Sequence, residues 1–315
     1  MFTYELSQKV CTVGNVKVGG QPGENPPLLI GNMFQKGDVI LQSRKEGLFD
    51  RKAAEERVRE VERHSRETGV PALIAMVANS EEEIRGYIDF FTSVTDMPFA
   101  IDIWQQKTRL AAARYVAEKK LQGRCLYNSI TPWDEDIPGQ VSELKELGIR
   151  HVVVQVFDVN DKRPTGRVTS LKQLMPFVEK GDFESILVDT AVMNLPTTAL
   201  SLVANYLIKK EFGLPVGFAP ANGTYMWRKN ASEQEREKFP AIDAGVHAIS
   251  ALASDFLFYG PLTGTHRVFP AVAAAASMMA AVAYNERSFV PAGSHPLNLL
   301  FPDVVKQFQE EKGEK

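Results

Sequence analysis

The chain has 315 residues, 44% of them hydrophobic and 24% charged, a balance typical of folded globular proteins rather than disordered ones. Its 36 basic and 39 acidic side chains leave a formal charge of −3, so nothing predicts the basic face that nucleic acid requires. Two distant cysteines, Cys11 and Cys125, make neither a disulfide framework nor a zinc motif.

The opening MFTYELSQKV has no basic leader and no apolar h-region, so no signal peptide is expected, and the expected compartment is the cytoplasm. VCTVGNVKVGG reads as a short N-terminal hairpin turning at Gly14-Asn15. After the Gly- and Pro-rich connection GGQPGENPP, eight apolar runs alternate with eight helical patterns. The predicted strands are 28–33, 72–78, 99–104, 124–130, 151–157, 185–191, 215–220 and 256–262.

Between them lie amphipathic stretches. AAEERVREVERHSRETG carries Val58 and Val61 on one face and stops at Gly69; SEEEIRGYIDFFTSV opens on Ser80 as a cap. The Ala-rich stretch Val268 to Ala283, broken by Pro270 and Ser277, falls short of the roughly 20 apolar residues that span a bilayer, so no membrane span is expected. It has more small apolar surface than a solvent-facing helix needs, which predicts a homodimer contact. The charged tail QEEKGEK reads as disordered, and residues 1–315 read as one domain. Eight buried strand–helix units without a Gly-rich phosphate loop predict an α/β fold, a (β/α)8 TIM barrel, ahead of a doubly wound sheet.

Asp102, Asn128, Gln155, Asp189 and Asn222 recur at intervals of 26, 27, 34 and 33 residues, each in or just after an apolar run. In a barrel this spacing places them at the carboxyl ends of successive strands, where barrel enzymes build their sites. Each has a plainer reading: Asp102 as a helix cap, Asn128 and its neighbour Ser129 as turn formers, Gln155 as a bridge between interior layers, Asn222 as an Asn-Gly turn. Together, acids and amides suit a flat heterocycle rich in hydrogen-bonding groups. A 2-amino-4-oxo-pteridine edge fits: a carboxylate accepts its paired N–H groups and an amide donates to its carbonyl. The set suits phosphate poorly. No HExxH, His/Cys cluster or GxSxG motif is present, so no metal site and no serine nucleophile are expected.

GGQPGENPPLLIG, with GLFD, YIDF, LYNSI, FGLPVG, DFLFYGP and VFPAVAAA, resembles the H subunit of tetrahydromethanopterin S-methyltransferase over nearly the whole chain, and most of all its soluble bacterial relatives. The resemblance implies a methyltransferase that moves a methyl group from a methylated corrinoid (methylcobalamin) on a separate corrinoid protein to N5 of tetrahydrofolate, as in glycine betaine demethylation. It implies pterin contacts at Asp102, Asn128, Asp189 and Asn222, with Ser129, Gln155 and Asp38 beside them. Asn222, Asp102 and Asp189 would carry the catalytic roles, and water held by Asp38, Asp102 or Asp189 would take the N5 proton. The archaeal members have Gly-His-Lys after the first strand where this chain reads GDVI with Asp38, and the loop GFAPANGTYMW differs too; both favour tetrahydrofolate over tetrahydromethanopterin. The alternatives are tetrahydromethanopterin as acceptor, a non-catalytic pterin-binding docking subunit, and a dihydropteroate synthase-like barrel, for which no basic diphosphate site is evident.

Overall fold

A computed structural model describes residues 3–44 and 47–313. Eight parallel strands close into a barrel: β1 (Leu28–Met33), β2 (Ala72–Val77), β3 (Phe99–Asp102), β4 (Cys125–Ile130), β5 (His151–Gln155), β6 (Ser185–Asp189), β7 (Val216–Phe218) and β8 (Phe256–Pro261). Each strand pairs with its neighbours in sequence, and β8 pairs with β1. The expected TIM barrel is therefore present, with most strands ending one or more residues earlier than the apolar runs suggest. The chain stays buried beyond the last ladder bond, so hydrophobicity outlasts the pairing.

Side-chain alternation divides the core in two. Leu28, Ile30, Leu73, Ala75, Ala100, Leu126, Val153, Leu187, Phe256 and Phe258 fill the barrel interior. Leu29, Ile74, Ile101, Tyr127, Val152, Val154 and Val188 face outward and meet the helices. Burying each large apolar side chain contributes about 1.5–3 kcal/mol.

The helices are α1 (Arg51–Thr68), α2 (Glu81–Val94), α3 (Gln106–Glu118), α4 (Ile137–Glu146), α5 (Pro164–Val178), α6 (Thr198–Phe212), α7 (Phe239–Ala251) and α8 (Thr265–Arg287). Local chemistry sets their ends. Ser80 accepts from the Glu83 N–H at the start of α2, Asp50 accepts from the Ala53 N–H at the start of α1, and Gly69 ends α1 in the left-handed conformation at φ 73.

The predicted hairpin forms from Val10–Val13 and Val16–Gly19, with Gly14 at φ 59 in the turn. Its Cys11, Val13 and Val18 pack onto the interior cluster and plug the amino-terminal end of the barrel. The Gly14 N–H donates to the Gly123 carbonyl and the Lys9 N–H to the Gly213 carbonyl, tying the plug to the rim.

Three segments differ from expectation. GFAPANGTYMW is not an Asn-Gly loop: helix Pro220–Asn230 begins there, because a proline at its first position needs no donor. The tail is helical to Gly313 in Pro302–Gly313, with Phe308 stacked on Tyr284 at 4.0 Å and Tyr284 donating to Glu311 at 2.7 Å; residues 314–315 lie outside the described range. The Ala-rich stretch forms most of α8. Leu262–Arg287 is long and apolar enough, by length and composition, to cross a bilayer, yet just over half of its most apolar window is buried inside the protein. Val268, Val272, Ala275, Ala276 and Met279 face inward, and α8 packs on α1, α7 and helix Pro296–Leu300. Its small side chains thus serve close packing within the chain, and Pro270, Ala274 and Met278 form the outward stripe.

At the plugged end, the ammonium of Lys209, buried on α6, donates to both Asp255 carboxylate oxygens at 2.8 Å and to the Gly20 carbonyl at 3.0 Å. Lys209→Ala leaves the largely buried Asp255 without its cation, holding only the Val216 N–H among the described residues. Urea unfolding is expected to show a loss of about 3–5 kcal/mol; a loss below about 1 kcal/mol would mean that the pair does not hold the plug.

Candidate active site at the carboxyl end of the barrel

In five of the strands the interior position after the last apolar residue is polar and falls at the open rim. Ile30 is followed two residues later by Asn32, Ala100 by Asp102, Leu126 by Asn128, Val153 by Gln155 and Leu187 by Asp189. The ladders set these side by side, Asp102 opposite Asn128 and Asp189 opposite Gln155. They line one cavity of about 270 Å³ with Ser129, Thr131, Asn222, Trp104 and Trp133.

Of the candidates from sequence, Asp102, Asn128, Ser129, Gln155, Asp189 and Asn222 all line this cavity. Asp38 does not. It is buried in the loop after β1, where it pairs with Arg57 and accepts the Phe34 N–H at 3.2 Å and the Ile40 N–H at 3.4 Å. Its carboxylate shapes that loop and is already fully engaged.

Asp102 accepts from the Asn32 amide at 2.8 Å on one oxygen and from the Asn128 amide at 3.1 Å on the other. Burial pushes its pKa up to about 6, against the lowering effect of the Asn32 bond, Arg109 and the Asn128 bond. Asp189 is 5% exposed and accepts only the Ala191 N–H, at 2.8 Å on Oδ1, among the described residues. Burial, aided by the charge of Asp102, pushes it up to about 7 against the pull of the Ala191 bond and Arg167. The site therefore holds two desolvated carboxyls that resist carrying charge together. Gln155 and Asn222 make no side-chain hydrogen bond within the described residues, and the Thr131 hydroxyl is buried without a partner. These groups are available to a ligand.

Three residues that the sequence did not single out complete the site. Asn32 obeys the same alternation as the others, so a period-two reading of LLIGNM would have found it. Two buried arginines fix the loops. Arg109 on α3 donates to the carbonyls of Ile103 at 2.8 Å and Trp104 at 3.0 Å, and to Asp134 at 2.7 Å. Arg167 on α5 donates to the carbonyls of Thr190 and Ala191, just beyond Asp189. A lone charge on an otherwise apolar helix face, as in TRLAAA, was their signal. Arg109 is the one cation lining the cavity among the described residues, and its bonds are already made. A diphosphate would find no free cation there.

Residues 6–289 match the family model described as the tetrahydromethanopterin S-methyltransferase MtrH subunit. The H subunit of tetrahydromethanopterin S-methyltransferase from Methanocaldococcus jannaschii is 33% identical over 321 aligned positions, covering 95% of this chain and 100% of that protein. The H subunit of the putative methyltransferase mtx from Methanosarcina acetivorans is 32% identical, covering 95% of this chain and 100% of its own length. Among solved structures, dihydropteroate synthase from Yersinia pestis superposes with a TM-score of 0.61 at 13% identity, covering 87% of this chain and 100% of that one. The enzyme of that name from Xanthomonas albilineans gives 0.59 at 15% identity, covering 88% and 98%. At such identities the likeness is one of fold.

Because Asp189 titrates near 7 in the folded chain and near 3.9 when unfolded, the native state binds the extra proton between those values. Its contribution to stability is therefore present below about pH 4 and lost as pH rises through 7. Asp189→Asn is expected to raise stability by roughly 2–4 kcal/mol at pH 8, shrinking toward nothing below about pH 4. Denaturant titrations of the ligand-free protein across pH check this; a gain independent of pH would place the strain elsewhere than in the charge.

Proposed function

From the premise that the chain belongs to the family of the MtrH subunit of tetrahydromethanopterin S-methyltransferase, we propose that it is a pterin methyltransferase that moves a methyl group from a methylated corrinoid on a partner protein to N5 of a tetrahydropterin. Tetrahydrofolate is the first acceptor to test. Tetrahydromethanopterin, which the relatives' names carry, is the second.

Asp189 carries the reading. It is a nearly buried carboxyl with one oxygen unclaimed among the described residues, in a cavity whose other free groups are two neutral amides and a hydroxyl. Such a group is costly unless a ligand brings N–H donors, and the 2-amino group and N3 of a pterin bring two side by side. Asn128, with Ser129 and Gln155 beside it, meets the remaining ring heteroatoms. Asn222, on the first turn of helix Pro220–Asn230, stands at the mouth where N5 would face the corrinoid.

In the transfer, the N5 lone pair takes the methyl carbon while the cobalt–carbon electrons remain on the metal, so Co(III) becomes Co(I). The methylated N5, now a protonated tertiary amine, then sheds its proton through water to Asp102, whose raised pKa matches that task. No covalent intermediate with the protein is needed, and positioning supplies most of the rate gain. Asp38, engaged by Arg57, has no part in the relay.

Docking of the partner is supported by exposed apolar residues after the barrel strands: Val39 beyond β1, Val159 beyond β5, Met193 beyond β6 and Met226 beyond β7. A homodimer through Pro270, Ala274 and Met278 is a separate part of the proposal, and native mass at dilute concentration tests it.

The decisive experiment is anaerobic incubation with methylcobalamin and each tetrahydropterin, following loss of the methylcobalamin spectrum and formation of N5-methyl product. Transfer to either pterin is the expected result. Pterin binding without transfer, even with a methylated corrinoid protein, would favour a non-catalytic docking subunit. With transfer in hand, Asp189→Ala is expected to weaken pterin binding by about tenfold or more, whereas Asn222→Ala should lower the rate more than the affinity. The forward rate should rise with pH through a limb near 6 that Asp102→Asn removes; an unchanged limb would rule out Asp102 as proton acceptor.

A further inference from the structure

Two large indoles stand open at the mouth of the cavity. Trp104, in the loop after β3, is 76% exposed and Trp133, in the loop after β4, is 42% exposed. They stack with ring centroids 5.8 Å apart and planes inclined by 24°. Both line the site cavity, and both line the adjoining groove of about 710 Å³ between α3 and α4.

The stack is held from below. The buried guanidinium of Arg109 donates to the Trp104 carbonyl and to Asp134 Oδ1, while Asp134 Oδ2 accepts the Thr131 N–H at 2.9 Å. Arg109 also donates to the Tyr127 hydroxyl at 3.0 Å, which in turn accepts from Gln140 at 2.9 Å. One buried ion pair thus fixes both tryptophan-bearing loops. Desolvating that pair is costly, and Trp104, the more exposed of the two indoles it holds, gains little burial in return. Such an arrangement makes sense when a flat ring completes the stack.

We propose that Trp104 and Trp133 form a platform for the aryl ring that a folate-type pterin carries on the C6 side of its ring system. This deepens the reading of the pocket as a pterin site and rests on it. C6 neighbours N5, and N5 must face the mouth to meet the corrinoid, so the C6 arm leaves the cavity where the indoles stand. The shared chemistry is an arylamine linked to C6, present in tetrahydrofolate and in tetrahydromethanopterin alike. The platform contributes affinity and orients the ring system; the amides and acids below it read the pterin edge.

The test is anaerobic calorimetry without any corrinoid protein. Tetrahydrofolate, tetrahydromethanopterin and 6-methyltetrahydropterin, which lacks the arm, are titrated into the wild type, Trp104→Ala, Trp133→Ala and Trp104→Phe. The wild type is expected to bind at least one arm-bearing pterin more tightly than 6-methyltetrahydropterin. Trp104→Ala should weaken that arm-bearing pterin about tenfold and leave 6-methyltetrahydropterin unchanged. Trp133→Ala should act in the same direction and Trp104→Phe should retain most of the affinity. The pterin whose affinity falls identifies the arm. Equal weakening of armed and armless pterins, or weakening of neither, would overturn the platform. Failure of the wild type to bind any of the three would overturn the pterin site itself.

Discussion

Closure of eight parallel strands is the constraint from which everything else in this protein follows. Once β8 pairs with β1, every second side chain points into an enclosed interior, and the register decides which residues meet there. The layers below the rim are apolar, from Leu28 and Leu73 up to Ile30, Val153 and Leu187. One step higher the same alternation delivers Asn32, Asp102, Asn128, Gln155 and Asp189 together. The carboxyls are desolvated because of where they stand, not because of any special neighbour. Burial is the main reason that Asp102 and Asp189 hold their protons more tightly than an ordinary aspartate.

That origin explains how much was legible in the amino-acid sequence. A strand buried on both faces reads as a continuous apolar run, so the eight strands and the polar residues interrupting them were visible. Their ends were not, because the chain remains buried after its last ladder bond. Asn32 is hard to see because LLIGNM invites no search for a polar group, although its period-two partners Leu28 and Ile30 are plain. Asp38 is illegible for the opposite reason: a short-range ion pair with Arg57 cannot be inferred from spacing. Asn222-Gly223 allows a turn as its plainer reading, yet Pro220 is the more informative residue, and helix Pro220–Asn230 starts there. The buried arginines were the least legible of all, since charge on a helix ordinarily signals solvent.

Those arginines show a division of labour. Neither Arg109 nor Arg167 offers its charge to a ligand; each commits its donors to backbone carbonyls of the loop beside an acid. The cavity keeps acids and amides, while the cations act as fasteners behind it. The superposition on dihydropteroate synthases speaks for the barrel, and the family match over residues 6–289 speaks for kinship. What distinguishes this site from one built for diphosphate is that fastened charge.

The hairpin at the other end has a kinetic meaning. With the apolar interior layers packed and Cys11, Val13 and Val18 closing the floor beneath them, the cavity is reached from the carboxyl end of the barrel and not through its floor. If the proposed partner protein docks over that opening, a small ligand enters before it and leaves after it. For the proposed two-substrate reaction, that arrangement gives a fixed sequence of arrivals and departures, first in and last out. In that scheme a partner that lingers on the doorway holds the small ligand in, and its residence time limits release.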